Sequence, residues 1–196
     1  MSRKYLETIK SVDGVLMNLS YHQQRLEGVT SSFKNSRGYN LKNILNPPKN
    51  GLYRCRVVYD EQKVEVEYII YVKRQTKSLK LVFSDDIEYS KKYANRDHLN
   101  ELFLLRADCD DILIVKNGLI TDTSIANIAF FNGSKWITPK RALLKGTMRE
   151  KCIQEKKIFE ENIFIEDLKQ FSKVALMNAM IDFDIIAQEN IEEIIC

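Results

Sequence analysis

The chain has 196 residues, 44% hydrophobic and 29% charged, which is the composition of an ordinary globular protein with one domain or two small ones. Its 30 basic and 27 acidic residues are interspersed and give a net charge of +3. This balance excludes the strongly basic surface of a nucleic-acid-binding protein. The four scattered cysteines and two histidines favour neither a zinc site nor a disulfide framework, so we expect no metal.

The N-terminal segment carries no targeting signal. Its first ten residues, MSRKYLETIK, lack the apolar core and the cleavage site of a signal peptide. No run in the chain approaches the 18 apolar residues of a membrane-spanning helix. We therefore expect a soluble, cytoplasmic protein that binds neither nucleic acid nor membrane.

The first half of the chain contains five predicted strands and two predicted helices. Residues 4–12 and 15–19 are typical of strands around an Asp13-Gly14 turn, and Ser20 is suited to N-cap a helix over residues 21–33. A short helix, LKNIL, ends at the NPPKNG segment, which cannot continue a regular element. The remaining strands are rich in β-branched residues: YRCRVVYD, KVEVEYIIYVK and LKLVF.

The second half begins with a polar break over residues 84–98, which is followed by a predicted helix over residues 99–108. Two Asn-Gly pairs beside apolar runs predict hairpins over residues 116–139. A helix is expected from Thr147, then a short acidic helix near IEDLKQF and a strand-turn-strand unit over residues 173–186.

Strands and helices are mixed without regular βαβ alternation, which favours an α+β fold over a doubly wound one. The polar break is the best candidate for a domain boundary. We expect a small N-terminal domain over residues 1–83, a linker over residues 84–90 and a larger C-terminal domain over residues 91–196.

Polar residues interrupt the hairpin region where a buried sheet does not need them. Thr121, Asp122, Thr123 and Ser124 follow one another, and Asn127 lies in an otherwise apolar strand. These side chains either close an irregular turn or hold a ligand.

A helix start over residues 145–150 is the candidate anion site. Thr147-x-x-Glu150 matches a capping box, and the N–H groups at such a helix start also attract anions. The chain has no G-x-G-x-x-G motif, so a phosphate would be held here by the helix start. Arg25 and His22 on the first helix, and Asn178 in the last hairpin, have ordinary structural interpretations when each is taken alone.

Taken together and in this order, five blocks resemble the class IV aminotransferase family: LETIKSVDG with NLSYHQQRL, KYANR, DDILIVKNGLITDTSIANIAFFNGSKWITP, LLKGTMR and LMNAM. These enzymes use pyridoxal 5′-phosphate (PLP) on the two-domain fold-type IV scaffold. They include branched-chain and D-amino acid aminotransferases and 4-amino-4-deoxychorismate lyase. The resemblance spans residues 5 to about 185 and implies that the larger C-terminal domain binds PLP.

The resemblance implies roles for four positions around the cofactor ring. The lysine that forms a Schiff base with PLP falls on Lys92, and the adjacent Lys91 is the other possible register. The acid that keeps the pyridine nitrogen protonated, usually a glutamate, falls on Asp122. Asn127 matches the asparagine that follows this acid, and we expect it to position Asp122. A polar site for the cofactor would then account for the polar residues of the hairpin region.

The resemblance also implies which residues hold the phosphate. The arginine that contacts it falls on Arg25, and the backbone N–H groups that surround it fall on Thr147 and Met148. A threonine near the first strand has been proposed to assist the lyases, and Thr8 is the nearest candidate.

Two blocks favour the lyase over the aminotransferases within this family. The lyases resemble Lys-x-x-Asn-Arg, and the chain has Lys92, Asn95 and Arg96. They also have an Asn-Ala or Asn-Ser pair followed by an apolar residue, as in Asn178-Ala179-Met180. The expected reaction is conversion of 4-amino-4-deoxychorismate to 4-aminobenzoate and pyruvate in folate biosynthesis.

Two alternatives stay open at this point. One is a class IV aminotransferase that acts on a branched-chain or D-amino acid, and the other is a family member that binds PLP without turnover. The resemblance also leads us to expect that the chain is N-terminally trimmed relative to the family, by about a strand and a loop before LETIK. It further implies a homodimer that acts on a small-molecule substrate.

Overall fold

The computed structural model describes residues 3–33, 38–187, 191, 194 and 195. The chain is α+β, as predicted, and divides into two compact units. The first unit comprises Met1–Lys73 and Lys91–Asn95, and the second comprises Arg74–Ser90 and Arg96–Cys196.

This division differs from the expected domains. The strand LKLVF and residues 84–90, expected in the small domain and in a linker, both belong to the second unit. Residues 91–95 belong to the first. Backbone pairing explains both differences, because LKLVF pairs with a strand of the second unit and residues 91–95 bond to a strand of the first.

The first unit is a four-stranded antiparallel sheet with helices on one face. Its elements are β1 (Tyr5–Val12), β2 (Val15–Leu16), α1 (Leu19–Thr30), α2 (Leu41–Ile44), β3 (Leu52–Tyr59) and β4 (Val64–Ile70). The strand order is β2-β1-β3-β4. Ile9 and Cys55 on the sheet and Leu26 and Leu41 on the helices are fully buried, and they form the centre of one apolar cluster.

The start of α1 differs from the prediction. The helix begins at Leu19 and its N-cap is Asn18, with φ 52°, so Ser20 is already inside the first turn. Asparagine tolerates this left-handed backbone conformation better than most residues. The turn at Asn18 also ends β2 after two residues, which is why the predicted strand over residues 15–19 is shorter.

The second unit is built on a larger mixed sheet. Its elements in chain order are β5 (Leu79–Phe83), α3 (Asp97–Leu104), β6 (Asp111–Lys116), β7 (Leu119–Thr123), β8 (Asn127–Phe131), β9 (Trp136–Pro139), α4 (Thr147–Gln154), β10 (Ile158–Glu161), a 3-10 helix (Ile165–Gln170), β11 (Lys173–Asn178) and β12 (Asp182–Ala187). The strand order is β10-β9-β8-β7-β6-β5, and β11 pairs with both β8 and β12.

The hairpin from β6 to β7 turns at Asn117 and Gly118, which both have positive φ, as the Asn-Gly pair predicts. The helix predicted over residues 99–108 begins two residues earlier and ends at Leu104. The predicted acidic helix is the 3-10 helix. In the described part of the chain, no helix is long and apolar enough to cross a membrane.

Candidate active site

Residues 91–95 extend the edge of β1 that faces away from β3. The Leu6 N–H donates to the Lys92 carbonyl at 2.8 Å, and the Ala94 N–H donates to the Lys4 carbonyl at 3.0 Å. β2 pairs only with the last two residues of β1, so this part of the edge is open to the segment. The Lys92 carbonyl is therefore bonded to β1, and the Ala94 N–H holds the segment to the same strand two residues later.

The two adjacent lysines have different surroundings. The Lys91 ammonium lies over the Tyr5 ring, 5.8 Å from its centroid. The Lys92 ammonium lies within electrostatic reach of His22: burial is the main cause of the lowered pKa of His22, and the positive charge of Lys92 adds to it. Lys92 is thus the lysine whose charge acts on the buried polar residues of α1.

The buried Glu7 and His22 and the partly buried Arg25 form a cluster, here called the Glu7 cluster. Both Glu7 oxygens accept hydrogen bonds from Arg25, from Nε at 2.7 Å and from Nη2 at 2.6 Å. His22 Nδ1 lies 2.6 Å from Glu7 Oε2. His22 and Arg25 reach the same carboxylate because residues three apart share one face of a helix.

The charges in this cluster follow from its burial. Burial raises the pKa of Glu7, but the charge of Arg25 and the hydrogen bonds from His22 and Arg25 outweigh it and lower the pKa to about 2. Burial lowers the pKa of His22 against the opposing effect of Glu7. The imidazole is therefore neutral at pH 7, and its Nδ1–H must be the donor to the ionised Glu7.

Sequence reasoning missed Glu7, although a signal was present. Side chains alternate along a strand, so Glu7 lies on the same face of β1 as the buried Tyr5 and Ile9. A carboxylate on a core-facing position needs a partner, and the pair His22 and Arg25 one turn apart on the next helix offers it.

Thr8 lies on the face of the sheet opposite to Glu7, because side chains alternate along β1. Arg56 is directly across from it on β3, and Arg54 is across from Lys10. All four side chains are partly buried. In the described part of the chain, the Nε of Arg54 is buried and has no hydrogen-bond partner. This face therefore carries Thr8 together with three cationic side chains at neighbouring pairing positions, an arrangement that suits an anionic ligand.

Asp122 and Asn127 join two strands of the second unit to the loop before α4. Asn127 Nδ2 donates to Asp122 Oδ1 and to the Leu144 carbonyl, both at 2.8 Å. The Leu144 N–H donates to Asp122 Oδ2 at 3.0 Å. Each oxygen of Asp122 thus accepts one hydrogen bond, and Asn127 fixes both the carboxylate and the loop.

Burial is the main influence on Asp122. It raises the pKa of the carboxyl group to about 6, because the hydrogen bonds from Leu144 and Asn127 and the charge of Arg149 offset it only in part. A cation placed beside this group would lower its pKa and keep it ionised.

The neighbouring hydroxyls close turns. Thr123 Oγ1 accepts the Ala126 N–H at 3.0 Å, and the Thr123 N–H donates to the Ala126 carbonyl at 2.9 Å. Thr121 Oγ1 donates to the Ile114 carbonyl at 2.9 Å. Of the two interpretations left open for the polar residues, the irregular turn accounts for Thr123, whereas Asp122 and Asn127 reach the loop before α4.

The start of α4 depends on a close approach and not on a capping box. Its N-cap is Gly146, without a side-chain cap, and the first intrahelical bond joins the Glu150 N–H to the Gly146 carbonyl. A Cβ at Gly146 would lie 2.1 Å from Asn127 Oδ1, so only glycine fits. The predicted capping box of Thr147 and Glu150 is wrong, because Thr147 is already the first helical residue.

Arg149 joins α4 to the neighbouring strands and was not anticipated from the sequence. Its side chain is buried, and Nη2 donates to the Pro139 carbonyl at 2.9 Å and to Glu160 at 2.7 Å. Its Nη1 donates to Glu150, the residue that was expected to serve the capping box. These contacts fix the first turn of α4, which carries Thr147 and Met148.

Asn178 has the role of a turn amide. Its Oδ1 accepts the N–H groups of Met180 and Ile181, which closes the turn between β11 and β12, and its Nδ2 donates to the Ile125 carbonyl. Among the described residues, no group of three or more His, Cys, Asp or Glu side chains could hold a metal ion.

Comparison with known sequences gives one family. The profile of the amino-transferase class IV family matches residues 90–187. An uncharacterised protein of Haemophilus influenzae is 39% identical over 180 residues, which are 89% of this chain and 96% of that protein. A protein of Schizosaccharomyces pombe provisionally named aminodeoxychorismate lyase is 35% identical over 75 residues, 36% of this chain and 32% of that one.

Solved structures share the fold. A Haemophilus somnus protein provisionally named 4-amino-4-deoxychorismate lyase has a TM-score of 0.83 and 36% identity, covering 92% of this chain and 97% of its own. A hypothetical aminotransferase of Mycobacterium tuberculosis, solved with PLP bound, has a TM-score of 0.78 and 13% identity, covering 95% and 81%. At that identity the second likeness concerns the fold alone.

Proposed function

The chain belongs to the class IV aminotransferase family, whose enzymes are PLP-dependent, and we propose that it is a lyase converting 4-amino-4-deoxychorismate to 4-aminobenzoate and pyruvate. The observation that carries the choice of reaction is the 36% identity to the Haemophilus somnus protein of that provisional name, over 92% of this chain. The fold is fold-type IV, and the chain is an enzyme of the lyase or aminotransferase kind.

The residues of the second unit fit the pyridine ring of PLP. Asp122 is a buried carboxyl group whose pKa is raised to about 6, so a protonated ring nitrogen beside it would supply the counter-charge that the protein provides only in part. Asn127 holds the carboxylate in one orientation. When bound, PLP would supply an electron sink for the negative charge that develops on the substrate.

Three positions fit the phosphate of PLP. The N–H groups of Thr147 and Met148 lie at the start of α4, ahead of its first intrahelical hydrogen bond, where the helix dipole favours an anion. Arg25 would add a guanidinium, the group best matched to phosphate geometry.

Lys92 is the residue that we propose to move the proton. Its Nζ would bind the cofactor covalently and, once released, take the proton from the substrate carbon that bears the amine. The bond from the ring to the enolpyruvyl oxygen would then break as the ring becomes aromatic, and the departing enolpyruvate would take up a proton at its methylene carbon to become pyruvate. The atoms of 4-aminobenzoate and pyruvate together equal those of the substrate, so neither water nor an oxidant is consumed.

The face of β1 and β3 that carries Thr8 suits this substrate, which has two carboxylates. Lys10, Arg54 and Arg56 occupy neighbouring pairing positions on that face, and the buried Nε of Arg54 has no hydrogen-bond partner in the described part of the chain. We propose that this face receives the carboxylates and that Thr8 assists the reaction. On the family resemblance we also propose a homodimer that acts in the cytoplasm in folate biosynthesis.

The test is a comparison of wild type with Lys92→Ala and the matched control Lys91→Ala. We expect borohydride to fix PLP on residue 92 in wild type and in Lys91→Ala but not in Lys92→Ala, as mapped by mass spectrometry. In wild type and in Lys91→Ala, the amount of 4-aminobenzoate released should equal the amount of pyruvate released. Lys92→Ala should lose activity by at least about a thousandfold.

Three other results of this test would each support a different interpretation of the protein. Amino-group transfer to a 2-oxo acid without release of 4-aminobenzoate would indicate an aminotransferase. PLP fixed on Lys92 without either reaction would indicate a member that binds the cofactor without turnover. Attachment to Lys91 would overturn the assignment of Lys92.

A further inference from the structure

We propose that Glu7 is a positioning residue that holds the Arg25 guanidinium ready for the cofactor phosphate, and that neutral His22 fixes Glu7 in turn. This inference rests on the proposed function, in which Arg25 contacts the phosphate. It assigns a purpose to a buried carboxylate and a buried imidazole that the proposed reaction does not use.

The first step is the geometry of the contact. Glu7 engages Arg25 side-on, through Nε and Nη2 and with both of its oxygens. Two parallel bonds of this kind fix the plane of a guanidinium as well as its position. The Nη1 edge is not used by Glu7, so the orientation of that edge is set before any ligand binds.

The second step is the permanence of the ionised state. Because the pKa of Glu7 is lowered to about 2, the carboxylate is charged at every pH at which the enzyme would work. His22 donates one proton from Nδ1 and stays neutral, so it adds no charge to repel Arg25. A protonated His22 would instead place a second cation on the same carboxylate.

The third step is the cost of ordering a long side chain. An arginine held in one rotamer loses conformational freedom, which costs free energy. Here that cost falls on folding, because the Arg25 side chain is only 15% exposed and is already bonded to the fully buried Glu7 in the protein alone. A phosphate that binds Arg25 would therefore not have to order it, which is the general advantage of a preorganised site.

The fourth step is that consecutive residues of β1 hold both anchors of the first unit. The Leu6 N–H binds the Lys92 carbonyl, and the next side chain, Glu7, binds Arg25. A single regular strand thereby sets the spacing between the lysine backbone and the arginine. A shift of Glu7 would move one anchor relative to the other.

The test is the affinity of the apo protein for PLP and for pyridoxal, which lacks the phosphate. We expect Glu7→Gln to weaken PLP binding about tenfold or more and to change pyridoxal binding by less than about threefold, because only PLP uses Arg25. The matched control is Glu65→Gln, an exposed glutamate of the same sheet that pairs with Lys63. It should leave both affinities unchanged.

His22 provides a second pair of variants in case Glu7→Gln does not fold. An asparagine amide nitrogen can occupy the position of Nδ1, whereas a glutamine amide reaches the position of Nε2. We therefore expect His22→Asn to keep the affinity for PLP within about threefold and His22→Gln to lose about tenfold, again with little change for pyridoxal.

Two results would overturn the inference. The first is that Glu7→Gln weakens the binding of PLP and of pyridoxal equally, or changes neither, which would make the cluster an ion pair of the core that does not serve the phosphate. The second is that His22→Asn and His22→Gln have the same effect on PLP binding, which would lead to the same conclusion. In those cases PLP binding by wild type leaves the proposed function standing. If wild type binds no PLP at all, both fall together.

Discussion

At the scale of single residues, Asp122 is a carboxyl group whose surroundings raise its pKa to about 6. Two hydrogen bonds do not compensate for complete burial, so the neutral form is favoured in the folded protein up to that pH. An aspartate also reaches less far than the glutamate that the family usually has here. The hydrogen bond from the Leu144 backbone shows that this short side chain already meets the loop before α4.

The raised pKa predicts how the stability of the apo protein depends on pH. The unfolded state loses the Asp122 proton near pH 3.8, but the folded state keeps it until about pH 6. Stability should therefore fall as the pH rises from 3.8 to about 6, and the loss due to this group is about 3 kcal/mol. Asp122→Asn should lack this loss.

Urea unfolding of both proteins at pH 4 and pH 7 provides the measurement. Glu7 and His22 titrate in the two proteins alike, so their contributions cancel in the difference. Equal changes in unfolding free energy for wild type and Asp122→Asn would show that Asp122 has an ordinary pKa.

At the scale of elements, the loop before α4 and the start of β8 approach so closely that a side chain cannot fit between them. Asn127 Oδ1 would lie only 2.1 Å from a Cβ atom at residue 146. The backbone of Gly146 is extended, with φ −72°, so space and not a strained conformation requires this glycine.

We predict that Gly146→Ala destabilises the protein by about 1–3 kcal/mol, the usual range for an overpacked site. It should also weaken PLP binding, because displacement of Asn127 disturbs both Asp122 and the first turn of α4. Thermal unfolding and PLP titration measure the two effects.

Gly28→Ala is the matched control. Gly28 lies on the exposed side of α1 with nothing within 4 Å of its Cβ position, so alanine should be neutral or stabilise by up to about 1 kcal/mol. If Gly146→Ala behaves like Gly28→Ala in both measurements, the close approach has no energetic consequence.

At the scale of the whole molecule, the chain passes between its two units three times, after residues 73, 90 and 95. The short segment 91–95 returns to the first unit because the edge of β1 offers it backbone partners. Lys92 and Arg25 belong to the first unit, and Asp122, Thr147 and Met148 belong to the second.

The proposed homodimer gives a prediction at this scale. Light scattering coupled to size exclusion should report twice the mass of one chain, and we expect that mass to persist on dilution to assay concentrations. A mass of one chain at assay concentrations, together with full activity, would contradict this proposal.

Much of the secondary structure could be predicted because its signals are local. The Asn117-Gly118 turn, the start of α4 at Thr147 and the hairpin of β11 and β12 were all expected from turn chemistry and periodicity. The errors include element ends, such as the start of α1 and the end of β2, and the strand β10 was not predicted. Ser20 is a good capping residue in isolation, but the left-handed turn at Asn18 begins the helix earlier.

The interactions around the candidate site were harder to predict because they join distant residues. Glu7 meets partners 15 and 18 positions away, and Asn127 meets Leu144 17 positions away. Each side chain alone has several plausible partners. Only the sheet and the helices, once packed, leave one of them within hydrogen-bonding distance.

The amino-acid sequence by itself determined the strands, the tight turns and the five ordered blocks that point to the family, since periodicity and turn chemistry act over a few residues. The tertiary structure decided which charges are buried and what compensates them: Glu7 with Arg25 and His22, and Asp122 with too few partners to keep an ordinary pKa. The physical reason is that desolvation and charge pairing depend on neighbours in space, which come from separate parts of the chain.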